Sequence, residues 1–420
     1  MERITARYYI ETPYALDKTA AVLAGEQSSG TFVAVPGETE ELKNRFAARV
    51  EHIEPLETVS EPAMPGAASP DGLYRRALVE VSWSVENFGH NLPTLVSTLQ
   101  GNLYEITQFT GLKLMDIHFP ASYAAAYRGP QFGIEGCRSL TNVATGRPLI
   151  GTIIKPSVGL TPAQTAEIVG TLAQAGIDFI KDDELMASTA NSHFEERVHA
   201  VMEVINRHAD RTGKKVMYAF NISDEMDPML RKYEHIVRSG GSCAMISLNS
   251  VGLAGSKRIC DLGELAIHGH RNGWGMLNRH PLLGIEFPAY QKLWRLAGVD
   301  QLHVNGIQNK FWESDDSVVR SIASCLDPAP LDKPVLPVVS SGQWGGQAFE
   351  TYRRTSTTDL LYMAGGGIMA HPGGAAAGVT ALQQAWQAAV NGLTLHDAAR
   401  QYPEFAQSVE KFGKLQFDRA

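Results

Sequence analysis

Thr161-Pro162-Ala163-Gln164, then Gly176-Ile177-Asp178-Phe179-Ile180, then Lys181-Asp182-Asp183-Glu184 are the runs that decide the fold. The first is a capping box with proline at the first helical position, and Gly176 closes the helix it starts. The apolar run behind that glycine reads as a strand, and the strand delivers charged side chains at its C-terminal end. Helix and strand together make one β/α unit. From about Pro148 to Gly374 the pattern recurs. Strands are expected at Leu149–Lys155, Asp178–Asp183, Lys215–Ile222, Cys243–Asn249, Leu265–Arg271, Gln301–Asn305, Pro334–Ser340 and Asp359–Ala364. Eight units in about 225 residues are the arithmetic of a (β/α)8 TIM barrel. A doubly wound open sheet is the runner-up, but it has no evident reason to stop at eight.

Helix signals lie between the strands. Ser192 with Glu195 reads as a second capping box ahead of Val198, Val201, Met202 and Ile205, which share one face. Asp227-Pro228 starts another helix, ended near Gly240-Gly241. Residues 1–125 differ. Ile4–Glu11, Glu51–Leu56 and Arg75–Val85 look like strands, Leu16–Gly25 and Leu92–Gly101 like helices, and Pro62–Asp71 like a loop. The expectation is an α/β protein: a small α+β (ferredoxin-like) domain over 1–125, the barrel over 126–375, and a helical extension over 376–420 broken at Gly392 and Pro403.

The 420 residues are 44% hydrophobic and 20% charged, with a net charge of −8. That balance offers no nucleic-acid surface. No run approaches the ~18 apolar residues of a membrane span. Cys137, Cys243, Cys260 and Cys325 are scattered without metal spacing, which suits buried thiols in a reducing compartment. Met1-Glu2-Arg3-Ile4 lacks a signal-peptide core. A cytoplasmic protein is expected.

In a barrel the chemistry sits at the C-terminal ends of the strands. Strand one ends in Lys155 and strand two in Lys181, Asp183 and Glu184. Strand five ends in His270 and Arg271. Strand six ends in His303, followed by Lys310. Strand seven ends in Ser340, Ser341 and Gly342, and strand eight in Gly365-Gly366-Gly367. Asp183 and Glu184 are the hard oxygen ligands that Mg²⁺ prefers. Lys181 supplies a third anionic oxygen if it takes up CO2 as a carbamate. His268 and His270 equally suit satisfied core histidines, Arg271 a surface ion pair, and the acidic tetrapeptide alone a solvated turn. The loops after strands seven and eight are where this fold often binds phosphate through backbone N–H groups. Ser341-Gly342 and Gly365-Gly366 fall there. Arg271 and His303 lie across the mouth, placed to hold the far end of a substrate. A metal facing a hydroxy-ketone stabilises an enediolate, and Lys155 or the carbamate on Lys181 is the candidate base.

Six segments follow one another in an order that resembles the large subunit of RuBisCO. They are Gly151-Thr-Ile-Ile-Lys155-Pro, Gly176 to Glu184, His268-Gly-His270-Arg271, His303 to Lys310, Ser340-Ser341-Gly342 and Gly365 to Pro372. Gly25-Glu26-Gln-Ser-Ser-Gly-Thr31-Phe32 and Gly101-Asn102 extend the likeness to the small domain. The resemblance implies Mg²⁺ on carbamylated Lys181 with Asp183 and Glu184. It also implies a phosphorylated small-molecule substrate, with phosphate contacts from Thr31, Gly365 and Gly366 at one end and from Arg271 and His303 at the other. And it implies a homodimer in which Glu26, Thr31 and Asn102 of one subunit close the barrel mouth of the next.

Departures from that pattern point away from carbon fixation. Lys155-Pro156-Ser157 lacks the second lysine of RuBisCO's Lys-Pro-Lys. Gln343 replaces a glycine, Trp274 a histidine and Phe32 a tryptophan. The chain therefore resembles the non-carboxylating RuBisCO-like proteins. Their chemistries include enolisation of 2,3-diketo-5-methylthiopentyl-1-phosphate, isomerisation of methylthioribulose phosphate, and decarboxylation of 3-oxo-isoapionate 4-phosphate. Lys310 favours the last: a cation that meets CO2 in a carboxylase serves a departing carboxylate in a decarboxylase. Methionine-salvage enolase is the alternative. A catalytically inert sugar-phosphate binding protein is the reading of another class, motivated by Ser157, Gln343 and Trp274.

Overall fold

Every second residue of eight short parallel strands points into a common interior, and that alternation lets the sheet close on itself. The computed structural model describes residues 2–29 and 36–414. The described strands are β1 (Arg3–Thr12), β2 (Arg49–Val59), β3 (Tyr74–Ser84), β4 (Gly111–His118), β5 (Leu149–Ile153), β6 (Phe179–Lys181), β7 (Met217–Asn221), β8 (Cys243–Ser247), β9 (Ala266–His270), β10 (Leu283–Ile285), β11 (Gln301–His303), β12 (Leu336–Val339) and β13 (Leu361–Met363).

Two compact units result. One comprises the described residues of Met1–Arg128 with Gly273–Ala297 and Ala329–Asp332. The other comprises those of Gly129–Asn272, Gly298–Pro328 and Lys333–Ala420. Both are discontinuous in sequence, which a division at 125 and 375 does not express.

The larger unit is a closed parallel barrel in the order β11-β12-β13-β5-β6-β7-β8-β9. All eight expected strands are present, each shorter than its sequence signal. The inward residues begin apolar, with Leu149, Phe179, Met217, Cys243, Leu336 and Leu361 packed in one core, and turn polar toward the C-terminal ends. Thr161 forms the expected capping box with Gln164 at the start of the helix Pro162–Gln174. Ser192 does not cap the next helix. That helix, Phe194–Thr212, has His193 at its N-cap with no side-chain cap bond. The Ser192 hydroxyl instead accepts from the buried Arg197 at 3.1 Å, and the Phe194 N–H donates to Ser188 Oγ. Burying a guanidinium demanded the acceptor that the cap would have used. Val198, Val201, Met202 and Ile205 of this helix are all buried, as their spacing requires.

The smaller unit is a sheet in the order β10-β4-β1-β3-β2. β1, β3, β2 and β4 pair antiparallel, and β10 joins β4 in parallel. With the helices Leu16–Glu26 and Leu92–Leu99 between strands, β1 to β4 give the expected ferredoxin-like order. Trp274 packs here, its ring centroid 4.8 Å from that of Tyr290.

Asp178 anchors the N-terminal end of the barrel. Its carboxylate accepts from Arg147 at 2.6 and 2.9 Å, from Lys214 at 2.7 Å and from the Ile150 N–H at 2.9 Å. Burial alone would raise its pKa, but Arg147 and then Lys214 outweigh burial and hold it below the usual carboxylate range. Its charged form therefore stabilises the fold above the unfolded pKa of about 3.9, and that contribution fades as pH falls further. Asp178→Asn is expected to cost about 3–5 kcal/mol at pH 7. Urea midpoints of wild type and variant should converge as pH is lowered from about 4. A gap that stays constant would contradict the assignment.

Candidate active site

Side-chain alternation at the end of β6 explains the tetrapeptide 181–184. Lys181 and Asp183 point into the barrel, while Asp182 points outward. The Asp182 carboxylate is fully buried. It accepts from Tyr218 Oη at 2.6 Å, from the Asn221 N–H at 2.9 Å and from Arg197 at 3.4 Å. Asn221 Nδ2 donates in turn to the carbonyls of Glu184 and Met186, at 3.2 Å each. The outward acid thus locks the strand end that presents the inward residues. Sequence reading missed this network, because Asp182 and Arg197 look like ordinary surface charges.

Five of the residues singled out from sequence come together at this point. Lys181 Nζ, with its residue only 1% exposed, donates to the Asp182 carbonyl at 2.9 Å and to Glu184 Oε2 at 3.3 Å, and lies 3.5 Å from Met245 Sδ. Lys155 Nζ donates to Asp183 Oδ2 at 2.6 Å and to Ser157 Oγ at 2.8 Å. His270 Nε2 lies 3.5 Å from Glu184 Oε2. The Asn272 N–H donates to His270 Nδ1, which places the proton of a neutral ring on Nε2, facing Glu184. Burial, reinforced by the Lys181 ammonium, lowers the His270 pKa. Burial raises Glu184, but His270 and Lys181 outweigh it and keep the carboxylate ionised.

Burial also lowers the Lys181 pKa, against the pull of Glu184 and Asp183. This favours the neutral amine, the form that reacts with CO2. Among the described residues no group of three His, Cys, Asp or Glu side chains is arranged to hold a metal ion. Two carboxylates and a buried amine are present instead. As a carbamate, Lys181 would complete a three-oxygen set of hard ligands with Asp183 and Glu184, so the donor chemistry fits Mg²⁺.

A second network ties the residues on β9, β11 and β12. Arg271 Nη2 donates to Glu313 at 2.8 Å. His303 is buried, with Nε2 at 2.8 Å from His268 Nε2 and Nδ1 at 3.1 Å from Ser340 Oγ. Ser341 Oγ donates to Asn305 Oδ1 at 2.7 Å. Ser341 and Gly342 have φ of +76° and +80°. The left-handed pair turns the backbone sharply after β12, and a non-glycine there is uncommon. Gln343 is buried. Its Nε2 donates to the Ile307 carbonyl at 3.1 Å and its Oε1 accepts from Tyr362 at 2.9 Å. A Cβ on Gly306 would lie 2.3 Å from this side chain, and one on Gly367 2.6 Å from the Gln343 carbonyl. Gln343 therefore fills space between the loops after β11 and β13. Gly365 precedes the single turn Gly366–Met369, and nothing lies within 4 Å of where a Gly366 Cβ would stand.

Lys310 is exposed, with Nζ 5.3 Å from the Phe311 ring centroid. Its N–H donates to the Ser341 carbonyl at 3.2 Å. In the smaller unit, Glu26 ends the helix Leu16–Glu26 and Asn102 precedes the turn Leu103–Glu105; both are exposed. The Gln27 amide brings these segments together, donating to the Ser97 carbonyl at 3.1 Å and accepting from the Asn102 N–H at 3.0 Å. Thr31 and Phe32 lie outside the described residues.

Comparison with known proteins adds to this geometry. Residues 2–123 match the family described as ribulose bisphosphate carboxylase large chain, N-terminal domain, and residues 133–412 match its catalytic domain. A 3-oxo-isoapionate-4-phosphate decarboxylase of Rhizobium etli is 50% identical over 97% of this chain and 98% of its own length. A 3-oxo-isoapionate-4-phosphate transcarboxylase/hydrolase of Xanthobacter autotrophicus is 52% identical over 96% of this chain and 97% of its own. The crystal structure of a rubisco-like protein from Burkholderia fungorum superposes with a TM-score of 0.91 at 45% identity, covering 98% of this chain and all of that one.

Proposed function

We propose a decarboxylase from a premise of descent: the chain belongs to the ribulose bisphosphate carboxylase large-chain family. It is an enzyme of that superfamily, of the RuBisCO-like kind. The substrate we assign is 3-oxo-isoapionate 4-phosphate, on which relatives of about half identity act by name. The observation that carries the assignment is the cluster of Lys155, Lys181, Asp183, Glu184 and His270, held by hydrogen bonds and ion pairs of 2.6–3.5 Å.

In this reading the phosphate rests on backbone N–H groups of Gly342, Gly365 and Gly366, with Ser341 setting the turn. The Lys310 ammonium draws the substrate carboxylate. Cleavage of the bond to that carboxylate releases CO2, and the bonding pair moves into an enolate. Lys155 returns a proton to the carbon that lost the carboxylate, and His270 keeps Glu184 oriented. Magnesium held by carbamylated Lys181, Asp183 and Glu184 would supply Lewis-acid stabilisation of the enolate oxygen. Glu26, Thr31 and Asn102 would be contributed by the second subunit of a homodimer. Four buried free cysteines suit a reducing, cytoplasmic setting.

The test is an assay of the purified protein with carboxyl-labelled substrate, Mg²⁺ and bicarbonate. Label released as CO2 is expected. The second relative motivates a rival, transfer or hydrolysis, in which the label remains in an acid product. Turnover of 2,3-diketo-5-methylthiopentyl-1-phosphate, with none of the 3-oxo acid, would overturn the proposal.

A further inference from the structure

The end of the barrel formed by β9, β11 and β12 carries side chains suited to gripping a phosphate: Arg271, His303 and Ser340. All three are engaged within the protein. Glu313 is the centre of the arrangement. Its fully buried carboxylate accepts from Arg271 Nη2 at 2.8 Å and from Asn305 Nδ2 at 2.5 Å through Oε2, and from Ser317 Oγ at 2.8 Å through Oε1. Arg271 and Glu313 sum to no net charge.

The histidines add none. Gln301 Nε2 lies 3.2 Å from both Cys137 Sγ and Met217 Sδ, which leaves Oε1 as the acceptor from His268 Nδ1 at 2.8 Å. His268 Nε2 is then the acceptor in its 2.8 Å contact with His303 Nε2. His303 Nδ1 in turn accepts the Ser340 hydroxyl proton. This chain assigns one proton to each imidazole. Burial disfavours a second on either ring. The Ser341 proton goes to Asn305.

We propose that Glu313 makes this end of the site unfit for a dianionic group, so that the one phosphate of the substrate assigned above rests on the glycine loops after β12 and β13 and an uncharged hydroxyl-bearing end lies here. A phosphate at this end would meet a neutral set of groups and a buried carboxylate, and like charges brought together out of water repel strongly. The inference rests on the phosphate placement given under Proposed function, and it departs from the expectation that Arg271 and His303 bind a phosphate.

Calorimetric titration of the full-length protein with ribulose 5-phosphate and ribulose 1,5-bisphosphate tests it, since the two differ by one phosphoryl group. Wild type is expected to bind the bisphosphate no more tightly than the monophosphate. Glu313→Gln preserves shape and an acceptor for Arg271. It should tighten bisphosphate binding about tenfold or more and change monophosphate binding little. Equal gains for both ligands, or a wild type that prefers the bisphosphate tenfold, would overturn the inference while leaving the glycine-loop assignment standing. Binding of neither ligand would overturn both. The wild-type comparison needs no variant, so a Glu313→Gln protein that failed to fold would still leave a decisive result.

Discussion

Replacing Lys181 with methionine is expected to lower kcat/KM about 1,000-fold or more, a loss of about 4 kcal/mol of transition-state stabilisation. The same change should leave the melting temperature equal to or above that of wild type. Both expectations follow from the burial of Lys181 among Met245, the Asp182 carbonyl and Glu184. A buried ammonium is costly to hold, and its partner Glu184 is about one-third exposed and also faces His270, so methionine in place of the lysine leaves no carboxylate buried and unpaired. A lysine held there against that cost is expected to serve the reaction rather than the fold. Activity within tenfold of wild type would remove Lys181 from the reaction. Lost activity together with a collapsed melting transition would make its role structural. Burial lowers the pKa of this amine, so the neutral form that takes up CO2 gains ground as pH rises. Activation by bicarbonate should therefore improve from acidic to mildly alkaline pH.

Lys310→Ala is the second large effect. Decarboxylation is expected to fall about 100-fold, the usual consequence of removing one positioned charge from a reacting group. Hydrogen exchange at the acidic carbon of a carboxyl-free analogue should change little, because Lys310 then has no carboxylate to attract. Equal losses in the two measurements would mean that Lys310 does not serve the carboxylate. Lys310 is exposed, with Nζ beside the Phe311 ring, so the melting temperature should not change, and it is measured on the same preparation.

Much of the fold was legible because its signals are local. Each barrel strand is a short apolar run behind a turn residue, and Thr161 with Gln164 specifies a cap within four residues. β4 was not legible. Its Lys113 is buried between neighbouring strands and pairs with Glu286 at 2.9 Å and with the Asn278 and His280 carbonyls. That interrupts the apolar alternation that marks an inner strand. β10 has three residues and gains its identity from β4, far away in sequence. The Ser192 cap failed for the same kind of reason: a distant requirement, the burial of Arg197, took its hydroxyl.

The site divided along similar lines. Lys155, Lys181, Asp183, Glu184 and His270 were legible because strand ends in a barrel converge whatever else the chain does. Glu313 was not, since in sequence it is one more acid in Trp312-Glu313-Ser314-Asp315. Its complete burial and its hold on Arg271 arise only when the loop after β11 folds back. The direction of the His303 hydrogen bonds depends on Gln301, a residue with no signal of its own in the sequence.

The most direct test of the central claim is a crystal structure of the protein soaked with Mn²⁺ and bicarbonate, with anomalous scattering recorded. Added density on Lys181 Nζ and an anomalous peak shared by that group, Asp183 and Glu184 are expected. A bare Lys181 amine still bonded to Glu184, with no peak at the two carboxylates, would contradict that claim.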